Sequence, residues 1–291
     1  AIINRIDLAG LQGPYVQAPL GEGRMIFGFT DSAGGPLQAV VSLEYQLAPS
    51  STQKAKDWAK MWRDLEKLDK IGRSHSPYNI ALQKITDMFV DEYSNTTGSN
   101  HQSSLLRVRT NELSFGMDRL WQMREYVLQD GNAPCRSNEL NKCLLKLQPL
   151  TQTPDISYNG SDVLDSWIIK NKISILNQNH IVDETYSYMG KTENFLAGSI
   201  ELGQSSIMNA WNYPSSQSSL MDADVRHLFS VETCNGCHYA ETGTLNFHIS
   251  PRYKDEVAIL SKFVEKVDFT NPAAQQPPVV DPFSKIGRAH V

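Results

Sequence analysis

Arg24-Met25-Ile26-Phe27-Gly28-Phe29, Asp31-Ser32-Ala33-Gly34-Gly35-Pro36 and Leu37-Gln38-Ala39-Val40-Val41-Ser42-Leu43-Glu44-Tyr45 read as two β-rich runs around a Gly-Gly-Pro turn. That pattern is a β-hairpin, and it sets the expectation of an antiparallel sheet. The period changes immediately afterwards. Ser51 or Thr52 can cap a helix in which Trp58, Met61, Trp62, Leu65 and Leu68 recur at steps of three and four, with Lys and Asp opposite. Pro77 opens a second helix whose buried face is read as Ile80, Leu82, Ile85, Met88 and Phe89. Two tryptophans on one helix could stack on a ligand; a stripe at this spacing is read here as core.

After the polar stretch 95–104 the β period returns, in Leu105-Leu106-Arg107-Val108-Arg109-Thr110 and Gln122-Met123-Arg124-Glu125-Tyr126-Val127-Leu128. Alternation places Arg107, Arg109 and Arg124 on one side, opposite the apolar residues. Such a row could grip a carboxylated ligand, but the reading adopted is a solvated face paired with Glu112 and Glu125. Leu144-Leu145-Lys146-Leu147 is a further strand, ended by Pro149 and Pro154. From there the chain turns helical. Asp162 caps a helix through Leu164, Trp167, Ile168 and Ile169 that breaks near Ile173-Ser174-Ile175, and His180 is read as a surface residue without a role. Residues 194–219 read as a long loop. Asp222 or Asp224 begins a helix through Val225, Leu228 and Phe229, residues 246–252 are extended, and Val257, Ile259, Leu260, Phe263 and Val264 form a last amphipathic helix. The fold class expected is α+β: an antiparallel β-sheet with packed helices and a helical C-terminal section carrying CxxCH. The parts are a β-rich α+β section over 1–155, a mainly helical section over 156–270 and a tail over 271–291. Within the tail, Ile286-Gly287-Arg288-Ala289-His290-Val291 matches the in-frame translation of a widely used sequencing adapter, so His290 is set aside as a ligand.

The chemistry concentrates in Cys234-Asn235-Gly236-Cys237-His238. Two thiols three positions apart on one helical turn point the same way, so each can add to a vinyl group of one porphyrin while the neighbouring imidazole reaches the iron. Cys234 and Cys237 are then thioether anchors of a haem c and His238 is its proximal iron ligand. Phe229, Tyr239, Leu245, Phe247 and Ile249 are read as pocket walls. His248 is the first choice for a sixth ligand, ahead of His227, Met221 and Met208, with Arg252 placed to pair with a propionate. The same five residues also fit a redox disulfide, a structural bridge, or a zinc site completed by His248.

Composition narrows the partners. A chain of 291 residues with 40% hydrophobic content can bury a sizeable core. A net charge of −5 without a Lys/Arg-rich run leaves no electrostatic footprint for nucleic acid or an anionic membrane, so neither partner is expected. No apolar run approaches the ~20 residues that cross a bilayer, so no integral membrane segment is expected. The opening residues do not read as a signal peptide, and the start is taken as cropped or mature. Covalent haem attachment implies a periplasmic or extracellular bacterial address. A disulfide between Cys135 and Cys143 would suit that compartment. No GxSxG, P-loop, HExxH or GxGxxG in context supports a hydrolase or nucleotide-binding reading.

Phe229-Ser230, the run Thr233 to His238, Glu241-Thr242, Phe247-His248 and Pro251-Arg252 together resemble a set of uncharacterised exported bacterial proteins with a C-terminal TCNGCH motif. Tyr78-Asn79, Arg109-Thr110-Asn111-Glu112, Trp121, Arg124-Glu125 and Thr153-Pro154-Asp155 are similar to further landmarks of that set. The resemblance covers most of the chain and implies one full-length unit, but it brings no activity with it. The function expected is that of an exported mono-haem c-type redox or electron-transfer protein with an unidentified redox partner. The alternatives are a non-enzymatic envelope or surface module stapled by disulfides, and a structural zinc site at the same residues.

Overall fold

The structure, a computed structural model, describes residues 2–5, 12–13, 16–17, 22–46, 52–69, 76–90, 105–113, 121–130, 133–134, 143–198, 200–202, 211–212, 223–238, 240–242, 244, 246–253 and 256–265. Three short strands come first: β1 (Ile2–Arg5), β2 (Gln12–Gly13) and β3 (Val16–Gln17). The expected hairpin follows as β4 (Glu22–Thr30) and β5 (Pro36–Gln46). Asp31 builds its turn by accepting the N–H groups of Ala33 (2.9 Å) and Gly35 (2.8 Å) on Oδ1. Gly34 stands there at φ 85°, where a Cβ would be strained.

Helices α1 (Thr52–Asp69) and α2 (Ser76–Val90) pack as a pair. Trp58, Trp62 and Leu65 of α1 meet Tyr78 and Ile85 of α2, with Met25 and Tyr45 of the hairpin against them. The tryptophan stripe is therefore core, and Trp58 and Trp62 meet edge to face at 5.8 Å. The face expected for α2 needs correction. Ile80 is 65% exposed and Met88 is exposed as well. The buried stripe is instead Tyr78, Ala81, Leu82 and Ile85, because the i, i+3, i+4, i+7 rule starts at Tyr78. Phe89 lies outside the described side chains.

The remaining strands are β6 (Leu105–Leu113), β7 (Trp121–Asp130), β8 (Ala133–Pro134), β9 (Leu144–Gln148), the hairpin β10 (Thr185–Tyr188) and β11 (Lys191–Asn194), and β12 (Ile200–Leu202). One antiparallel sheet runs β1-β4-β5-β6-β7-β12, with β8 and β9 also on β7. The fold is α+β, as expected. Directly opposed residues share a face, so the register sorts the side chains. Arg24, Glu44 and Arg107 form one row, and Ser42, Arg109, Glu125 and Gln148 the next. Val40, Asn111, Met123 and Ile200 follow, then Leu113, Trp121 and Leu202.

The arginine row is not a solvated face. Arg107 is 4% exposed. Its guanidinium meets Glu22 at 2.5 Å and Glu44 at 2.9 Å, while Arg109 meets Glu125 at 2.6 Å. Thr151 donates to both Glu125 carboxylate oxygens, at 2.7 and 2.9 Å. Arg124 lies opposite Thr110, hence on the other face, and pairs with Glu112. Burying these charges is tolerable because each finds a counter-charge.

What buries them is the rest of the chain. Helices α3 (Asp162–Lys170) and α4 (Lys172–Leu176) break at Asn171, and Ser161, one residue before Asp162, is the N-cap. Ile169 and Ile173 are exposed, whereas Leu164, Trp167, Ile168 and Ile175 enter a core with Phe195, Leu196, Trp211 and Phe229. Phe195, Leu196 and Trp211 fall in the expected loop 194–219, so parts of that stretch are core. Helix α5 (Ala223–Val231) leads into α6 (Cys234–Cys237). The expected last helix is reduced to α7 (Lys262–Glu265). Val257 is 80% and Ile259 76% exposed, and Ile249 bridges Leu260 in an extended return. No helix among the described residues is long and apolar enough to cross a membrane.

Candidate functional site

Helix α6 is a single turn held from all sides. Thr233 caps it, accepting the Gly236 N–H (3.2 Å) and the Trp211 indole N–H (3.0 Å) while donating to Ser230 O (2.7 Å). The Cys234 N–H goes to Thr153 Oγ1 at 3.0 Å. Thr242 donates to the Cys237 carbonyl. Gly236 lies so close to Ser230 that a Cβ would overlap its carbonyl; glycine is a packing requirement here.

Neither Cys234 nor Cys237 is in a disulfide. Cys234 packs against Trp121, Met123, Leu150 and Ala197. Burial pushes its thiol pKa up, against the opposing pull of Arg109, so it is protonated at neutral pH. Cys237 Sγ lies 3.2 Å from His248 Nε2. His248 Nδ1 lies 2.9 Å from Ser261 Oγ, and its ring lies against Phe263.

His238 is fixed by donor and acceptor logic. An indole N–H can only donate, so Trp121 Nε1–H on Asn111 Oδ1 fixes the orientation of the Asn111 amide. The Asn111 NH₂ then donates to the Asn246 carbonyl at 3.0 Å. That carbonyl also takes His238 Nδ1 at 2.8 Å. A carbonyl only accepts, so Nδ1 carries the proton and Nε2 is the bare nitrogen. Among the described residues Nε2 makes no hydrogen bond. Trp121 stacks on the imidazole, centroids 5.0 Å apart and planes 28° apart. Burial lowers the His238 pKa to about 4, with the Asn246 bond opposing and Arg109 reinforcing the shift. The ring is neutral at physiological pH, the form in which histidine binds metals.

Comparison with protein-family models, curated proteins and solved structures finds no match to this chain. The site is therefore judged on its own residues.

Two cysteines on one turn beside a neutral imidazole whose tautomer is fixed by a carbonyl are the donor types that a c-type haem uses. The distal side differs from expectation. The His238 and His248 rings are 4.1 Å apart. Iron between two imidazoles needs two metal–nitrogen bonds of about 2 Å each plus both ring radii, so His248 as placed is not trans to His238. No group of three or more His, Cys, Asp or Glu placed to hold a metal ion is found among the described residues. Arg252 is at the surface, bonded to the Glu256 carbonyl. His227 Nδ1 donates to Glu241 at 2.6 Å, and Arg226 grips the same carboxylate at 2.5 Å. Phe229 faces the α3 core, and Phe247 and Ile249 are buried. Tyr239, Leu245, Met208 and Met221 lie outside the described residues. Cys143 is disulfide-bonded; its expected partner Cys135 is outside them too.

Asn111, Trp121 and Thr153 reach the motif although their positions alone assign them no such role. The signal that could have found them was their place among the landmarks of the resemblance, beside the motif itself.

Proposed function

We propose that this is an exported mono-haem c-type redox protein, with Cys234 and Cys237 as thioether anchors and His238 as the proximal ligand. The observation that carries the reading is the His238 Nδ1–H bond to Asn246 O, which leaves Nε2 bare beside two cysteines that are not disulfide-bonded. In attachment each S–H adds across a vinyl C=C, sulfur to one carbon and hydrogen to the other, with no net electron transfer. The bound haem would supply a one-electron Fe(III)/Fe(II) couple; the protein's part is to hold the imidazole in one orientation and to keep water from it with Trp121. The disulfide at Cys143 agrees with an oxidising, exported address.

The test is a pyridine haemochrome spectrum of protein matured with haem-attachment machinery, expected to show a thioether-linked haem. Colourless protein, or unchanged colour in Cys234→Ala plus Cys237→Ala, overturns the reading. The contact between Cys237 Sγ and His248 Nε2 favours one alternative, a reactive dithiol. That alternative predicts no haem and, with an added disulfide oxidant, loss of two hydrogens (two protons and two electrons) from the CxxC pair as it closes to a disulfide, reversed by an added dithiol.

A further inference from the structure

Asn111 lies against the His238 imidazole, its Nδ2 3.4 Å from Nδ1, and both nitrogens donate to one carbonyl. Asn246 O accepts His238 Nδ1–H at 2.8 Å and Asn111 Nδ2–H at 3.0 Å. Two donors on one oxygen compete for its electron density, so each bond is weaker than it would be alone. Asn111 is held in this role, because its oxygen is taken by the fully buried Trp121 indole N–H. A second restraint keeps the carbonyl in place: Asn246 N–H donates back to His238 O at 3.1 Å. Removing Asn111 therefore changes the strength of the acceptor more than its position.

We infer that Asn111, held by Trp121, is a positioning residue that weakens the His238 Nδ1–H bond to Asn246 O and thereby limits the electron donation of Nε2 to a bound metal. A stronger Nδ1–H bond makes the imidazole more imidazolate-like, which favours the oxidised metal. The sheet thus tunes the donor strength of a ligand that the C-terminal section provides. This rests on the haem reading for its consequence, but not for its geometry.

The experiment separates the two. In haem-free protein, the His238 Nδ1–H proton resonance is compared among the parent, Asn111→Leu and Trp121→Phe. Leu keeps the volume and removes the donor; Phe keeps the stack and frees the Asn111 amide. The expected result is a downfield shift for Asn111→Leu and a smaller one in the same direction for Trp121→Phe. In haem-loaded protein the reduction potential should fall in the same order. An unchanged or upfield resonance in folded Asn111→Leu overturns the inference, as does an unchanged or raised potential. If Asn111→Leu does not fold, the Trp121→Phe shift alone decides. Failure of the parent to take up haem overturns the functional reading and leaves the resonance comparison to judge the hydrogen bond.

Discussion

Gly236 lies flush against the Ser230 carbonyl, so that the turn bearing both thiols rests directly on the end of α5. The contact is between backbones, and no side-chain rotation can relieve it.

Gly236→Ala is therefore expected to destabilise the fold by at least about 1–3 kcal/mol, the usual cost of overpacking. Gly28→Ala is the control, since a Cβ there meets nothing within 4 Å; it should stay within about 0.5 kcal/mol. Urea midpoints of the two variants give the comparison. Equal midpoints would show that α6 can lift off α5.

Removing one partner from the buried ion network should be costly. Arg107→Met leaves Glu22 and Glu44 short of their counter-charge and is expected to cost about 3–5 kcal/mol. The exposed Lys60–Asp64 pair on α1 serves as reference, with Lys60→Met expected to leave the denaturation midpoint close to the parent's. Chemical denaturation of both variants checks the ratio.

Stability should depend on pH through His180 and Glu232. His180, 4% exposed, has neither ring nitrogen hydrogen-bonded among the described residues. Glu232 Oε2 approaches Nδ1 at 3.3 Å but is poorly aligned for a bond. Burial lowers the His180 pKa from 6.5 to about 4. The unfolded chain takes up that proton first, so stability present above pH 6.5 is lost as the pH falls towards 4. Burial raises the Glu232 pKa from 4.5 to about 8. Its contribution is complete below pH 4.5 and drains away as the pH rises through 8. Melting temperatures across this range should show a flatter acid limb in His180→Phe and a flatter alkaline limb in Glu232→Gln. Parallel profiles for the parent and both variants would contradict the assignment.

Glu241 ties the return of the chain after His238 to α5 through Arg226 and His227. Burial alone would raise its pKa, but the bonds from His227 and Arg226 and the Arg226 charge outweigh this and hold it below the ordinary carboxylate value. Glu241→Leu leaves a buried guanidinium uncompensated and should cost about 3–5 kcal/mol. Glu241→Gln keeps an acceptor and should cost less. Thermal unfolding at neutral pH checks the order of the two.

The hairpin and the tryptophan helix were legible because their signals are local: alternation around an Asp-to-Gly turn, and apolar steps of three and four. The arginine row shows where that ends. Alternation identified Arg107 and Arg109 as sharing a face, but not that Thr151 and the C-terminal section would cover it. The expected helix over Val257 to Val264 failed for a related reason, since the Ser250 N–H to Ile259 O bond fixes an extended return instead. His180 was misjudged because a polar flank in sequence says nothing about Trp167 and Phe229 closing over it.

By itself the sequence determined the spacing of two sulfurs and an imidazole on one turn. It also determined the sheet class, through the period of its strands. Only the tertiary structure decided which nitrogen of His238 is bare, because the Asn246 carbonyl that takes Nδ1–H is set there by the return of the chain and by Asn111, which donates to the same oxygen. It also decided that His248 attends Cys237 instead of standing across from His238. Hydrogen-bond partners and ring spacings are set by packing between distant segments, and no local pattern encodes them.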